Sequence, residues 1–381
     1  MNALVSTINM TVLQSSYRFI NMTFPQSPIR CYRACPPIFN LQYINRYILT
    51  ALIILTNLIS VNAQQLEGNI SLHGFADNRE YAKSNRFSQT IFGTRFSPEI
   101  GLLLDSVHRI RVGFNALHEF GSPKFTAKID PVIYYQYQKD KWDFYVGVFP
   151  RQNLLSDYPR IIFKDTLAYY RPNVEGMLVK YQTQHGNETI WIDWTSRQTD
   201  LDRETFLFGV SGKYKTGLFF TEHYAMMFHN AGPGINIPGD HIQDNGAAAL
   251  KLGLDLSDRT FLDTLTLKLG GVMSFERTRS VTGWQTPRGY LLELNAGYKR
   301  FAITNSFYHG EGHRLIYGDQ FYTAKTYNRA DLIYTPIKFK NIEGQFVFSF
   351  HFLEGVMDNQ QAFSLKYNIS GSRSLKQNAD H

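Results

Sequence analysis

The sequence predicts an all-β chain: a transmembrane, antiparallel, up-and-down β-barrel of about 16 strands with short periplasmic turns and long extracellular loops. Three observations lead there. Period-2 alternation of apolar and polar residues recurs about every 20 residues after position 64, with no convincing helical period. The connections between the alternating segments are short and long in turn. The faces opposite the apolar ones carry full charges in mid-segment, so they must be wet or densely paired.

An apolar leader precedes the alternating region. Tyr47–Ile59 is apolar apart from Thr50, Thr56 and Asn57, follows Arg46, and is followed by Val61-Asn62-Ala63. A cation, a short apolar run and a small-x-small site describe a secretory signal peptide cleaved after Ala63. Residues 1–40 are long for the region before such a run and are read as a gene-model extension, with translation starting near Leu41. Cys31 and Cys35, the only two cysteines, lie there and lack a second ligand pair for a metal. Of the 39 Lys and Arg, four (Arg18, Arg30, Arg33, Arg46) precede residue 64, leaving 35 against 32 acidic residues, or +3. That near-neutral body argues against nucleic-acid binding. An aromatic content of 15% argues against disorder, coiled coil and collagen.

The strands are expected to begin near Leu66, Thr90, His108, Thr126, Lys141, Asn173, Glu188, Glu204, Gly217, Asn245, Leu262, Arg288, Arg300, Tyr327, Asn341 and Gln360. In the segment after His108, Ile110, Val112 and Phe114 alternate with Arg109, Arg111 and Gly113. In the segment after Arg288, Tyr290, Leu292 and Leu294 alternate with Leu291, Glu293 and Asn295. Short turns fall near 105–107, 139–140, 185–187, 215–216, 257–261, 299–300 and 339–341. Longer connections fall at 77–89, 118–125, 151–172, 197–203, 228–244, 276–287, 309–326 and 353–359. Both chain ends then lie on the short-turn side, as an even strand count requires. A β-sandwich also alternates, but its crossovers would break the short/long order. The barrel is expected over residues 64–370, with a polar tail at 371–381.

Strand parity turns Arg95, Arg109, Arg111, Asp193, Arg197, Lys213, Lys251, Lys268, Glu293, Glu343 and Lys366 toward the interior as pore-lining candidates. The longest connection, holding Arg151, Asp157, Arg160 and Arg171, is a candidate constriction or plug. His223 and His229 could share the interior face near the rim, with Asp240, Asp244 or His241 beyond, but no metal site is assigned. His309 and His313 flank a glycine loop. No cofactor and no catalytic group is expected, since GxSxG, HExxH, Walker and GxGxxG patterns are absent.

The signal ending in Asn-Ala before Gln64-Gln65, the strand rhythm and the segments Phe92–Gly101, Asp157–Arg160, Trp191–Arg197 and Thr326–Arg329 resemble porin-like outer-membrane barrels of Gram-negative, Bacteroidetes-type bacteria. The resemblance implies the barrel fold and the outer membrane, and supplies no catalytic residues. Many such barrels end on an aromatic residue read during insertion; here that signal would be internal, around Phe363–Ile369. The expectation is therefore a porin-like channel, not an enzyme, passing small polar or anionic solutes by passive diffusion. Its partners would be outer-membrane lipid, small polar solutes and, as an option, a second copy of the chain. The alternatives are a non-conducting barrel that binds glycan or protein through its loops, and a barrel hydrolase using His223 or His351 beside a Ser and an Asp.

Overall fold

The structure, a computed structural model, describes residues 65–375 except Asn236. The leader, over which an export signal is expected, and most of the polar tail lie outside the described residues. Sixteen antiparallel strands close into one barrel, each pairing with its neighbours in sequence and β1 with β16. They are β1 (Gln65–Glu80), β2 (Gln89–Leu104), β3 (His108–Glu119), β4 (Lys128–Lys139), β5 (Trp142–Pro150), β6 (Asn173–Thr183), β7 (Gly186–Ser196) and β8 (Thr205–Thr216), then β9 (Phe219–Asn230), β10 (Gln243–Asp255), β11 (Thr264–Thr278), β12 (Arg288–Tyr298), β13 (Phe301–Gly310), β14 (Thr326–Lys338), β15 (Ile342–Leu353) and β16 (Val356–Ser374). All sixteen expected segments are strands.

Two boundaries differ from the sequence reading. Residues 371–374, read as tail, continue β16 and pair with β1, where Gln65 faces Ser374. The last outer connection is not a long loop but the two-residue turn Glu354-Gly355, both at positive φ (52° and 81°). Two successive left-handed residues match the twist of a tight hairpin.

Alternation sorts the side chains as the pleat requires. Ile70, Leu72, Phe92, Phe96, Ile100, Ile110, Val112 and Phe114 are exposed on the outside, where only lipid can satisfy so continuous an apolar surface. No helix among the described residues is long and apolar enough to cross a membrane; the strands cross it. On the short-turn rim Trp142 lies against Tyr181 and Phe301 stacks on Tyr334, with centroids 4.7 and 4.8 Å apart. These are the pairs expected of an interfacial aromatic girdle.

Gly147 in β5 has φ +119°, and a Cβ there would fall 2.3 Å from the Ile133 carbonyl oxygen across the ladder. Gly147→Ala is expected to cost about 1–3 kcal/mol, read as a lower unfolding midpoint of the detergent-solubilised barrel; an unchanged midpoint would refute it.

Candidate functional site

Two outer loops fold back into the barrel. The connection 151–172, which contains the one-turn helix α1 (Leu167–Tyr170), carries Leu155, Tyr158, Ile161, Ile162, Phe163 and Leu167, all buried. They pack with Phe149, Leu178, Trp191, Leu207 and Met226 of the wall in one apolar cluster. The Tyr158 hydroxyl accepts a hydrogen bond from Trp191 Nε1 (2.9 Å) and donates to the Val210 carbonyl (3.0 Å). Loop 311–325 adds Leu315, Phe321 and Tyr322 to the same cluster. The loops strap each other: Lys164 N–H donates to Tyr317 O (2.8 Å), and Asp319 N–H to Arg160 O (2.9 Å). Burying a core this size offsets the cost of ordering so much loop. The two loops therefore occupy part of the lumen and narrow it.

Ion pairs tie the loops to the wall. Arg151 bonds the fully buried Asp193 of β7, which also accepts from Glu175 N–H at 2.9 Å and has Arg171 at 3.7 Å. Arg160 binds Asp165 (3.0 Å) and Asp331 (3.3 Å), and Arg329 bridges the same two carboxylates at 3.1 and 2.7 Å. Arg151, Arg160 and Arg171 thus face the wall from inside, and Asp157 lines the cavity beneath.

The expected interior residues are mostly paired. Arg109 and Arg111 both bind Glu67 (2.7 and 2.8 Å). Lys251 binds Glu293 (2.7 Å), and Lys268 and Lys213 share Glu222 (2.9 and 3.2 Å). Arg95 donates to the carbonyls of Ala168 and Tyr169 at the end of α1. Lys366 lines the cavity, and Glu343 stands beside it in register. Arg197 is corrected: β7 ends at Ser196, and Arg197 is exposed in the outer loop. Below the loops lies a cavity of about 940 Å³ lined by, among others, Ser71, His73, Asn115, Asn295 and Lys366.

The histidines are also repositioned. In β9 the buried residues are Phe220, Tyr224, Met226 and Phe228, so His223 and His229 face outward. His223 Nε2 lies 2.9 Å from Glu188 near the inner rim, and His229 stacks on Phe206 at the outer one (4.5 Å). His351 is fully buried, bonded to the Tyr327 hydroxyl (2.7 Å) and covered by the Phe321 ring (4.3 Å). Neither His223 nor His351 joins a Ser and an Asp.

A different group of polar residues stands where a lipid could reach it. On β1 the outward positions run Ile70, Leu72, Gly74, Ala76 and then Asn78 and Glu80. Asn78 Nδ2 donates to Glu80 Oε1 (3.0 Å) and to Gln361 Oε1 of β16 (2.9 Å), while the Thr90 hydroxyl of β2 donates to Asn78 Oδ1 (2.8 Å). This group sits directly above the apolar band, at the outer rim. Sequence reasoning passed over it, although the switch from apolar to polar at positions 78 and 80 of one face was a readable sign.

A second missed group anchors loop 311–325. His313, 2% exposed, has Nδ1 2.8 Å from the Ser274 hydroxyl, which is 2.9 Å from Glu276 Oε1. Serine occupies the centre of this chain: with Nδ1–H of the imidazole donating to the Ser274 hydroxyl and that hydroxyl donating to Glu276, the three groups form a clamp that leaves His313 Nε2 without a partner. Burial pushes the His313 imidazole down to about 4 from its ordinary 6.5. The unfolded loop then binds protons first. The clamp's full contribution is present above pH 6.5 and is lost as pH falls toward 4. Faster amide exchange in loop 311–325 over that window is expected, and a pH-independent protection factor would count against it.

Residues 58–373 match the family described as Lipid A 3'-O-deacylase-type. The chain belongs to that family. The match runs through the whole described barrel and overturns the expectation that the chain is not an enzyme, because the family is described by an enzymatic activity. The physical reason is that a site assembled across neighbouring strands leaves no local GxSxG or HExxH pattern in the sequence. No curated protein matches the chain. Among solved structures, OpdL of Pseudomonas aeruginosa is similar at 12% identity and TM-score 0.49, covering 80% of this chain and 99% of its own. OccAB3 of Acinetobacter baumannii gives 11% and 0.45, with 80% and 99% coverage. OccK2 (OpdF) of Pseudomonas aeruginosa, solved with glucuronate, gives 8% and 0.48, with 80% and 98% coverage. This member of the deacylase-type family is folded as a closed antiparallel β-barrel of sixteen strands, as the sequence indicated.

Proposed function

We propose that this barrel is a lipid esterase of the outer membrane that removes an ester-linked acyl chain from a glycolipid of the lipid A kind, working on its lipid-facing outer rim. The Asn78–Glu80–Thr90–Gln361 group carries this reading. The acyl esters of a membrane lipid lie at the border between hydrocarbon and headgroups, and this group occupies that border on the barrel. Hydrolysis needs a base to deprotonate water and a donor for the developing oxyanion. Glu80, exposed and acceptor-only, fits the base. Asn78, its amide oriented by Thr90, fits the donor once the ester carbonyl replaces Gln361 as acceptor. Water adds to the carbonyl carbon, its proton passes to Glu80 and then to the departing alkoxide, and a free fatty acid and an alcohol result. The inserted loops support this reading, since they take up part of the lumen. The export signal read at 47–63 would deliver the chain to this membrane.

The test is fatty-acid release from purified lipopolysaccharide vesicles containing the barrel, with planar-bilayer conductance measured on the same preparation. Acyl release without conductance is expected. Steady conductance without acyl release would overturn the proposal.

A second reading is favoured by the cavity of about 940 Å³ beneath the loops. If the loops swing out, Arg95, Arg109, Arg111, Lys251, Lys268 and Lys366 would line a passage for small anions, and conductance would then appear in bursts.

A further inference from the structure

Inside the barrel two cationic side chains flank a histidine, and neither has a carboxylate within 4 Å among the described residues. Strand register places Lys366 of β16, His73 of β1 and Arg95 of β2 side by side, since His73 pairs with Lys366 on one side and with Arg95 on the other. Directly paired residues share a face of the sheet, and all three line the cavity of about 940 Å³. Arg95 is 5% exposed. Its two terminal nitrogens are spent on the carbonyls of Ala168 and Tyr169, and its Nε has no partner. No carboxylate among the described residues lies within 4 Å of Arg95 or Lys366, whereas ten other interior arginines and lysines have one: Arg79, Arg109, Arg111, Arg151, Arg160, Arg171, Lys213, Lys251, Lys268 and Arg329. His73 bonds only the Ser364 hydroxyl, at 3.0 Å. Of the carboxylates nearest in the ladder, two are committed: Asp130 is held by Lys128 at 2.7 Å and Glu99 faces Arg111 at 3.5 Å. Glu343 stands next to Lys366 in register, on the side away from Arg95, and makes no ion pair with it within 4 Å.

A buried guanidinium without an opposite charge is costly, and proteins keep one where something else supplies that charge. We infer that the cavity is a binding site for a small anion, a carboxylate or a phosphate, held by the charge of Arg95 and by Lys366 Nζ, with Ser71 and His73 supplying neutral hydrogen bonds. The site lies inside the wall, away from the outward Asn78–Glu80 group, and stands whether or not that group hydrolyses lipid. The anion would also fasten the loops: Arg95 grips the end of α1, so a ligand that neutralises Arg95 stabilises the inserted connection 151–172.

The experiment is calorimetric titration of the whole barrel in neutral detergent with inorganic phosphate and, separately, with succinate, at constant ionic strength against chloride. Saturable binding of one or both is expected, and the arm that responds identifies the anion. Lys366→Met, which removes a side chain that holds no other group, is expected to weaken binding about tenfold. Arg95→Gln, which keeps an N–H near the Nε position but removes the charge and both donors to the α1 carbonyls, is expected to abolish it. Affinity equal in the wild type and both variants, or no heat above chloride in either arm, would overturn the inference. Hydrogen exchange of residues 153–170 gives an independent readout: slower exchange with the anion supports it, and unchanged exchange at saturation removes the fastening role.

Discussion

Replacing Glu80 by Gln is expected to lower acyl release by about 10²-fold or more, the usual contribution of a positioned general base. Gln keeps the size of the side chain and can still accept from Asn78, so the barrel should insert and migrate on a gel as the folded form. What it loses is the capacity to take a proton from water. Asn78→Ala should cost a comparable factor, about 10²–10³, by removing the oxyanion donor. The effects of the two changes should not multiply, because base and donor act on one transition state. Activity retained in both variants would place the chemistry elsewhere on the barrel, with the inserted loops and the family relationship untouched.

The second large effect concerns the inserted loop. Asp193→Ala is expected to cost about 3–5 kcal/mol, because it strands the buried Arg151 guanidinium without its carboxylate. The amides that Asp193 satisfies, including Glu175 N–H, are orphaned as well. The loss falls on the loop rather than on the wall, whose ladder hydrogen bonds do not depend on the pair. The expected result is a barrel that still inserts but shows flickering conductance where the wild type is silent, with protease cleavage appearing within 151–172. Removing residues 153–170 altogether should give a steady open channel. A silent Asp193→Ala barrel with an uncut loop would show that the apolar packing of Ile161, Ile162 and Phe163 suffices to hold it.

Strand number and strand order were legible because a barrel wall has two solvents, and each residue's parity reports which one it meets. Where both faces carry large apolar residues that report fails. In β9, Phe219, Phe220, Tyr224, Met226, Met227 and Phe228 occupy both parities, and His223 and His229 were assigned to the wrong side. The inward fold of 151–172 was only half legible. Its charges were noticed, but the apolar run at Ile161–Phe163 is what demands burial, and a loop lying on the surface could not provide it. Glu354-Gly355 escaped notice because Met357 and the polar run after it look like loop, and nothing local reveals that Asp358 accepts the Lys83 and Ser84 amides across the rim. The outward rim group was hidden for a different reason: its members come from the first two strands and the last, and only ring closure makes them neighbours.

The central apolar cluster takes its buried wall side chains from β4 through β15, an unbroken run of neighbours, and joins two separate loops to them. None of its fully buried members belongs to β1, β2, β3 or β16. The nucleus therefore asks only that those twelve strands have curled, and it makes no demand on the β1–β16 seam. Damage to the cluster would be felt in the middle of the staves, while the closing joint of the cask would be left as sound as before.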